Sequence, residues 1–346
     1  MNIIFNDTNI YTFSVHSVGN KSTDEGCFLS KNIVDVNLEL KELLTHYFVS
    51  SFKFHESFSF YHDIDIKMNE LFSCVTAIFS NPETLLEQSI NLAKHLYEQS
   101  VHPKIKGGEF YTVYFQNCVL DGKSVDAVGL FKSENKDTFL KVYPSGDGFE
   151  IESENGININ KLDKGCLIFN AEREDGYVVA IVDNTNKGIE AHYWTDDFLH
   201  VRQRKDEYYN TQNILTLTKN FIKDEMPQQF DISRADQVDL LNRSVKFFKE
   251  KENFDFQEFT NEVIEQPDVI ETFNRYKTDY AKEYDLEFTD TFPISESAVK
   301  KQSRIFKSVI KLDKNFHIYI HGDRNMIERG EDNKGKFYKV YYKEEN

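Results

Sequence analysis

The chain has 346 residues, of which 40% are hydrophobic and 14% aromatic, which is enough apolar material for about two to three packed domains and excludes a mostly disordered chain. Its 41 basic and 58 acidic residues give a net charge of −17, which argues against a protein that coats nucleic acid with its whole surface. Any nucleic-acid contact therefore requires a local basic patch. The mean hydropathy of −0.55, with no run of 18 apolar residues, argues against a membrane span and a membrane partner.

The N-terminal residues and the cysteines indicate a cytoplasmic protein. Residues 1–7 lack the basic and apolar regions of a secretory signal. The cysteines are spaced about 45 residues apart, without the Cys-x-x-Cys pairs typical of zinc and redox sites. We therefore expect buried thiols in a reducing compartment at all four positions, Cys27, Cys74, Cys118 and Cys166.

The first hundred residues are predicted to be mainly helical after an extended start. The clearest helix runs from Pro82 to about Gln99, because Pro82 suits the first helical position and apolar residues then recur at helical spacing. Two more amphipathic helices are predicted at about 36–48 and 68–79.

From Gly108 the hydrophobic pattern becomes that of strands. Apolar runs at 110–115 and 127–131 are joined through Asp121-Gly122, a pair typical of hairpin turns. Asp147-Gly148 and Asp175-Gly176 are further turn signals. The stretch 109–183 is therefore predicted to be an antiparallel meander, with further strands at 139–143, 149–152, 166–170 and 177–182.

Helices return after residue 200, and the chain ends in strands. Helices are predicted at 213–223, 233–249 and 297–312, with two shorter ones opened by Asp255 and Pro267 and final strands at 316–321 and 336–342. The predicted class is α+β, with N-terminal helices and a central antiparallel sheet in 1–200 and a helical domain ending in a small β-sheet in 201–346.

A local basic stretch stands out against the acidic chain. Between Lys300 and Lys314 there are six basic residues and one acidic residue, a local charge of +5. If a helix continues to residue 314, five cations share one face and could follow a phosphate backbone: Lys300, Arg304, Lys307, Lys311 and Lys314. Lys336 and Lys339, interleaved with aromatic residues, could support them. An ordinary solvated helix face and a lysine-protected edge strand remain the alternative.

Other motifs do not predict catalysis or a bound metal or cofactor. Gly122-Lys123-Ser124 lacks the upstream glycine and the following helix of a phosphate-binding loop. Asp196-Asp197 is interpreted as a helix N-cap rather than a catalytic pair. His55, His62 and Asp63 lack a fourth ligand at a spacing typical of a metal site. Asp35, Glu39 and Lys41 offer the residue types of a divalent-metal nuclease centre, but Glu39 and Lys41 point to different sides of a predicted helix.

The C-terminal two thirds resemble a known family in an extended pattern of blocks. The blocks occur in one order and cover most of residues 100–346, while the first hundred residues agree only in general character. They are Gly129-Leu-Phe-Lys, Asn158-Ile-Asn-Lys-Leu-Asp-Lys-Gly-Cys, Tyr193-Trp-Thr-Asp-Asp-Phe-Leu, 233–249, 254–259, Tyr284-Asp-Leu-Glu-Phe-Thr-Asp-Thr-Phe-Pro-Ile-Ser, 316–320 and 336–342. This pattern resembles the bacterial nucleoid-associated proteins of the YejK/NdpA type.

The resemblance implies a cytoplasmic, nucleoid-localised protein that binds DNA without strong sequence preference and has no recognised catalytic activity. It transfers no functional residues, because the family has no short catalytic signature. Recruitment by DNA-processing proteins through an acidic surface remains an alternative to direct DNA contact. A homodimer through the aromatic edge Phe337–Tyr342 and packing of the same edge within one chain both remain open.

Overall fold

A computed structural model describes residues 1–52, 55–185, 192–304, 306, 309–312, 315–319 and 326–344. These residues form two compact units, Met1–Arg204 and Lys205–Asn346. In the N-terminal unit the elements in chain order are β1 (Ile3–Ile4), β2 (Asn9–Val18), β3 (Cys27–Phe28), α1 (Leu38–Val49), β4 (Phe58–Phe60), α2 (Glu70–Ser80), α3 (Leu85–Gln99), β5 (Gly108–Leu120), β6 (Lys123–Ser133), β7 (Asp137–Ser145), β8 (Gly148–Gly156), β9 (Lys164–Phe169), β10 (Val178–Asp183) and β11 (Val201–Gln203).

One antiparallel sheet organises the N-terminal unit. Its strand order is β11-β4-β10-β9-β6-β5-β2-β3, with β1 beside β5. The β5–β6 turn has Asp121 at φ 46° and Gly122 at φ 80°, which is the left-handed pair expected of a two-residue hairpin. The hairpin predicted from Asp121-Gly122 is therefore confirmed.

Both faces of this sheet are covered, which explains its continuous apolar strands. Val128 and Leu130 of β6 pack in a core with α2 and α3, whereas Phe131 packs with Phe48 of α1 on the opposite face. The two aromatic rings are stacked with centroids 4.3 Å apart. The helices predicted at 36–48, 68–79 and 82–99 correspond to α1, α2 and α3.

The uninterrupted meander predicted over 109–183 is wrong. Strand β6 pairs with β9, and β7 and β8 between them pair only with each other as a separate two-stranded hairpin. The turn of that hairpin is Gly146-Asp147, one residue before the predicted Asp147-Gly148, because Gly146 supplies the positive φ of 57°. Local strand propensity could not distinguish this hairpin from strands of the main sheet.

Two smaller predictions in the N-terminal unit are also wrong. Cys27 is exposed because β3 is the last strand of the sheet order and leaves its side chains uncovered. Cys74, on α2, is half-buried. Asp196-Asp197 is not an N-cap, because both residues lie inside a π-helix, Tyr193–Leu199, that begins earlier. Asp196 contacts the His192 ring at 2.9 Å one turn before it.

The C-terminal unit is built around a second apolar core. It contains α4 (Glu207–Asn220), a π-helical turn (Phe221–Glu225), α5 (Met226–Gln229), α6 (Arg234–Glu250), β12 (Asn253–Asp255), α7 (Phe256–Phe259), α8 (Pro267–Glu283), β13 (Thr291–Pro293), α9 (Glu296–Ser303), β14 (Val309–Leu312), β15 (Phe316–Tyr319), β16 (Ile327–Asp332) and β17 (Gly335–Val340). Strands pair antiparallel as β12–β13, β14–β15 and β16–β17. The helices followed by small sheets confirm the predicted α+β class.

The long helix predicted at 297–312 is wrong. Helix α9 ends at Ser303, and Val309–Leu312 form a strand instead. Val309 and Ile310 are β-branched, and Ile310 is buried while Lys311 is exposed, which is the alternation of a half-buried strand. The spacing of the basic residues matched a helix, but the segment forms a strand because Ile310 is buried against β15 and Val238.

Candidate nucleic-acid interface

The five cations predicted on one helix face do not share a helix. Lys300 is exposed on α9, and Arg304 is exposed one residue beyond its end. Lys311 is exposed on β14, while Lys307 and Lys314 lie outside the described residues. The shared helix face is therefore wrong, and the role of these residues in phosphate binding stays a prediction.

Lys336 and Lys339 lie opposite carboxylates. On the β16–β17 hairpin Lys336 pairs in register with Glu331, and Lys339 pairs with Glu328. The Lys339 ammonium is 4.0 Å from the Glu328 carboxylate, which also accepts a hydrogen bond of 3.0 Å from the Tyr341 hydroxyl. These exposed cross-strand pairs reduce the positive charge that the two lysines offer to a phosphate.

A basic cleft lies between α6 and the β14–β15 hairpin. Lys311 is directly opposite His317, and Val309 is opposite Tyr319, so these four side chains share one face of the hairpin. The cleft has a volume of about 510 Å³. Its lining residues are Lys223, Arg234, Gln237, Val238, Leu241, Val309, Lys311, His317 and Tyr319.

The charge of the basic cleft is unbalanced. Among the described residues that line it, three are Lys or Arg, one is His and none is Asp or Glu. The pKa of Lys223 is lowered, chiefly because burial disfavours its charged form. The positive charges of Lys219 and Arg234 lower this pKa further, whereas the negative charge of Asp224 raises it. A bound anion would relieve this repulsion, so the cleft is suited to a phosphate group.

Buried amide groups hold Arg234 in place at the rim of the cleft. The Arg234 guanidinium donates a hydrogen bond of 2.8 Å to the side-chain oxygen of Gln237. Gln237 is buried, and its side-chain nitrogen donates to the carbonyl oxygen of Ile222 at 2.7 Å. These bonds hold the guanidinium of an exposed residue at the cleft without neutralising its charge.

Lys300 lies in a second cleft that is electrically mixed. The cleft brings Lys300 near Lys249 and Lys251, but also near Glu250, Glu252 and Glu296. Lys251 forms ion pairs with two further carboxylates, those of Glu258 at 2.6 Å and Glu262 at 3.1 Å. The surroundings of Lys300 therefore carry little net charge.

Of the basic residues that line the cleft, only Lys311 stood out in the sequence. Lys223, Arg234 and His317 are far from one another along the chain, and their spacing carries no signal. The helix N-cap at Ser233 was recognisable and places Arg234 in the first turn of α6. The strand pairing that brings Lys311 and His317 opposite α6 was not recognisable.

A separate cluster of charged groups is buried in the N-terminal unit. The ammonium groups of Lys132 and Lys164 contact the carboxylates of Glu134 at 3.1 Å and Asp183 at 2.8 Å. The Tyr193 hydroxyl donates to Glu134 at 3.0 Å, and its ring lies 5.6 Å and 5.4 Å from the two ammonium groups. Each charge has a partner of opposite sign, so the cluster is a paired network within the fold.

The described residues form neither a metal site nor a membrane-spanning helix. They contain no group of three or more His, Cys, Asp or Glu side chains arranged to hold a metal ion. None of their helices is both long enough and apolar enough to cross a membrane.

Comparison with known proteins decides the family. Residues 14–336 match the family described as nucleoid-associated protein YejK. The chain belongs to this family. No curated protein matches the chain. The match covers parts of both compact units and confirms the resemblance seen in the central and C-terminal blocks.

Membership in the YejK family makes the chain one of the nucleoid-associated proteins, a class found in bacteria and in general without enzymatic activity. Membership in this family suggests DNA as a partner and the nucleoid as the location of the protein.

Proposed function

We propose that this protein binds the DNA backbone without sequence preference through the basic cleft of its C-terminal unit. The observation that supports this most directly is the convergence of Lys223, Arg234, Lys311 and His317 on one surface with no carboxylate among the described lining residues. Lysine and arginine contacts to phosphates release counterions from DNA and supply affinity that does not depend on sequence.

The distribution of charge between the two units favours the C-terminal unit for this role. Residues 1–204 contain 18 basic and 30 acidic side chains, a net charge of −12, whereas residues 205–346 contain 23 and 28, a net charge of −5. Repulsion of DNA is therefore weaker around the C-terminal unit. Tyr319, which is 65% exposed in the cleft, adds an aromatic surface beside the cations.

We propose that the other predicted cations make secondary contacts with DNA phosphates. Lys300 and Arg304 are exposed on the same unit, and Lys336 and Lys339 extend the positive residues to β17. Because carboxylates lie near these lysines, substituting them should lower the affinity for DNA less than substituting the residues of the basic cleft.

The test is binding to a labelled random-sequence duplex, measured by fluorescence anisotropy across a salt series. We expect the logarithm of affinity to fall linearly with the logarithm of salt concentration. The triple variant Lys223→Gln, Arg234→Glu, Lys311→Glu should bind more weakly to every sequence and reduce the slope by about 2.7, or roughly 0.9 for each lost phosphate contact.

The positional control is Lys246→Glu, a charge reversal of the same kind at an exposed position of α6 outside the cleft, compared with Lys311→Glu alone. It should retain near wild-type affinity. A second variant, Lys300→Glu with Arg304→Glu and Lys307→Glu, tests the secondary contacts. Unchanged affinity in the triple cleft variant would refute the proposed interface.

The alternative function is recruitment to the nucleoid by DNA-processing proteins. The net charge of −12 on residues 1–204 favours it, because an acidic surface can bind the basic regions of such proteins. Absence of DNA binding at low salt would support this alternative over direct contact.

A further inference from the structure

The β7–β8 hairpin is an exposed element with one apolar face. Side chains directly opposite in register alternate between its two faces, so Leu140, Val142, Pro144, Phe149 and Ile151 lie together on one side. Glu150, Glu152, Glu154 and Lys141 lie on the other side. Leu140 is 72%, Val142 59%, Phe149 73% and Ile151 67% exposed.

This apolar face is large enough for an interface. Side chains of these sizes and exposures present roughly 500 Å² of apolar surface, which is the size of patch that marks interaction sites on soluble proteins. An isolated two-stranded hairpin is only marginally stable in water, and β7 and β8 pair only with each other among the described strands. A partner that covers the apolar face would stabilise the hairpin.

We propose that this face is the dimerisation surface of the protein and that its occupant is the same face of a second copy. The apolar face carries no ionised side chain, so it offers no charge to a basic or acidic partner, whereas it is complementary to itself. Two copies packed face to face would bury about 1,000 Å², near the lower bound for a specific interface.

Two-fold symmetry fits the geometry of the hairpin. Val142 and Ile151 are directly opposite each other near the middle of the apolar face. A two-fold axis near this pair places each apolar side chain against an apolar side chain of the other copy. The carboxylates of Glu150, Glu152 and Glu154 then point away from the interface, where they do not repel one another across it.

The test is the mass of the full-length protein across a concentration series, by sedimentation equilibrium or light scattering. We expect a dimer for the wild type and a monomer for Val142→Glu with Ile151→Glu. The control Ile64→Glu places a negative charge at an apolar side chain that is 81% exposed elsewhere in the N-terminal unit, and it should remain dimeric. Near-ultraviolet circular dichroism checks that the exposed substitutions preserve the fold.

A crosslink locates the interface independently of the charge changes. In a Cys27→Ser background, which removes the exposed native thiol, Val142→Cys should give a covalent dimer with a short bismaleimide crosslinker, because sheets packed face to face lie about 10 Å apart. Lys141→Cys, one residue along the strand but on the opposite face, should not.

Three results would overturn the proposal. One is a monomeric wild type at every concentration, which would assign the face to a different occupant. Another is a dimer that persists in the hairpin double variant. The last is a dimer that is lost instead in Tyr342→Glu, which would place the interface at the C-terminal aromatic edge.

Discussion

His16 is a buried histidine whose two ring nitrogens both have partners. Its Nδ1 accepts a hydrogen bond of 3.0 Å from the backbone N–H of Ser30, so the proton of the neutral ring lies on Nε2. Nε2 is 2.8 Å from the Ser89 hydroxyl, which itself donates to the carbonyl oxygen of Leu86 at 2.7 Å. Protonation of Nδ1 would turn the first contact into a clash of two donors.

A pH dependence of stability follows from His16. Burial lowers its pKa from 6.5, so the unfolded state binds the proton more readily than the folded state. The stability of the N-terminal unit should be fully present above pH 6.5 and should fall as the pH drops below that value toward the lowered folded pKa.

Urea denaturation at about pH 7.5 and about pH 5.5 measures this effect, since the interval contains the ordinary titration of histidine. His16→Gln should lower the free energy of unfolding at the higher pH and show a smaller difference between the two. An equal pH difference in the wild type and the variant would contradict the role of His16.

Helix α6 shows how a local signal can fix an element. The Ser233 hydroxyl accepts a hydrogen bond from the backbone N–H of Asp236, and the Asp236 carboxylate accepts one from the backbone N–H of Ser233. This reciprocal capping box starts the helix one residue after Ser233, close to the start at residue 233 that the apolar spacing predicted. Because α6 carries Arg234 and Gln237, the cap also places one wall of the basic cleft.

Removal of this cap is expected to destabilise the C-terminal unit. Ser233→Ala deletes the acceptor for the Asp236 backbone N–H and should lower the free energy of unfolding by about 1 kcal/mol. Thr278→Ala, at an exposed position inside α8, is the control and should keep or slightly raise the free energy of unfolding, because alanine is a better helix former than threonine. Both are compared with the wild type by chemical denaturation; equal stabilities for all three would contradict the capping role.

Helix α9 shows the limit of the same kind of local reasoning. The spacing of Lys300, Arg304 and Lys311 suits a helix, but Lys311 lies on a strand whose partner residues come from β15. The sequence contains both patterns, and only the pairing with β15 and the burial of Ile310 select the strand. The same strand brings Lys311 to His317.

The chain divides into its two compact units immediately after Arg204. The backbone N–H of Arg204 donates to the carbonyl oxygen of Ser57 at 2.9 Å, and its guanidinium pairs with Glu172. These contacts tie the end of the N-terminal unit to its own sheet, and helix α4 then begins at Glu207 with Asp206 as its cap. Each unit has its own apolar core.

Independent folding of the two units is therefore expected. A fragment ending at Arg204 should keep native-like circular dichroism and a cooperative thermal transition, because a covered sheet and its helices lie wholly within it. The matched fragment begins at Lys205. Calorimetry of both fragments and the full chain is the measurement, and a fragment 1–204 without a cooperative transition would contradict this expectation.

Nearby residues were enough to predict most of the helices, the Asp121-Gly122 hairpin and the family. Helical periodicity and Asp121-Gly122 as a turn depend on nearby residues only, and the order of the blocks identified the nucleoid-associated class. Where a segment fits both a helix and a strand, only its tertiary contacts select one of them, and only the folded chain shows which distant residues meet. It separated β7–β8 from the main sheet, replaced part of a predicted helix with β14, and brought Lys223, Arg234, Lys311 and His317 together. The physical reason is that burial and strand pairing join residues far apart in the chain, and their free energies exceed the small differences in local propensity.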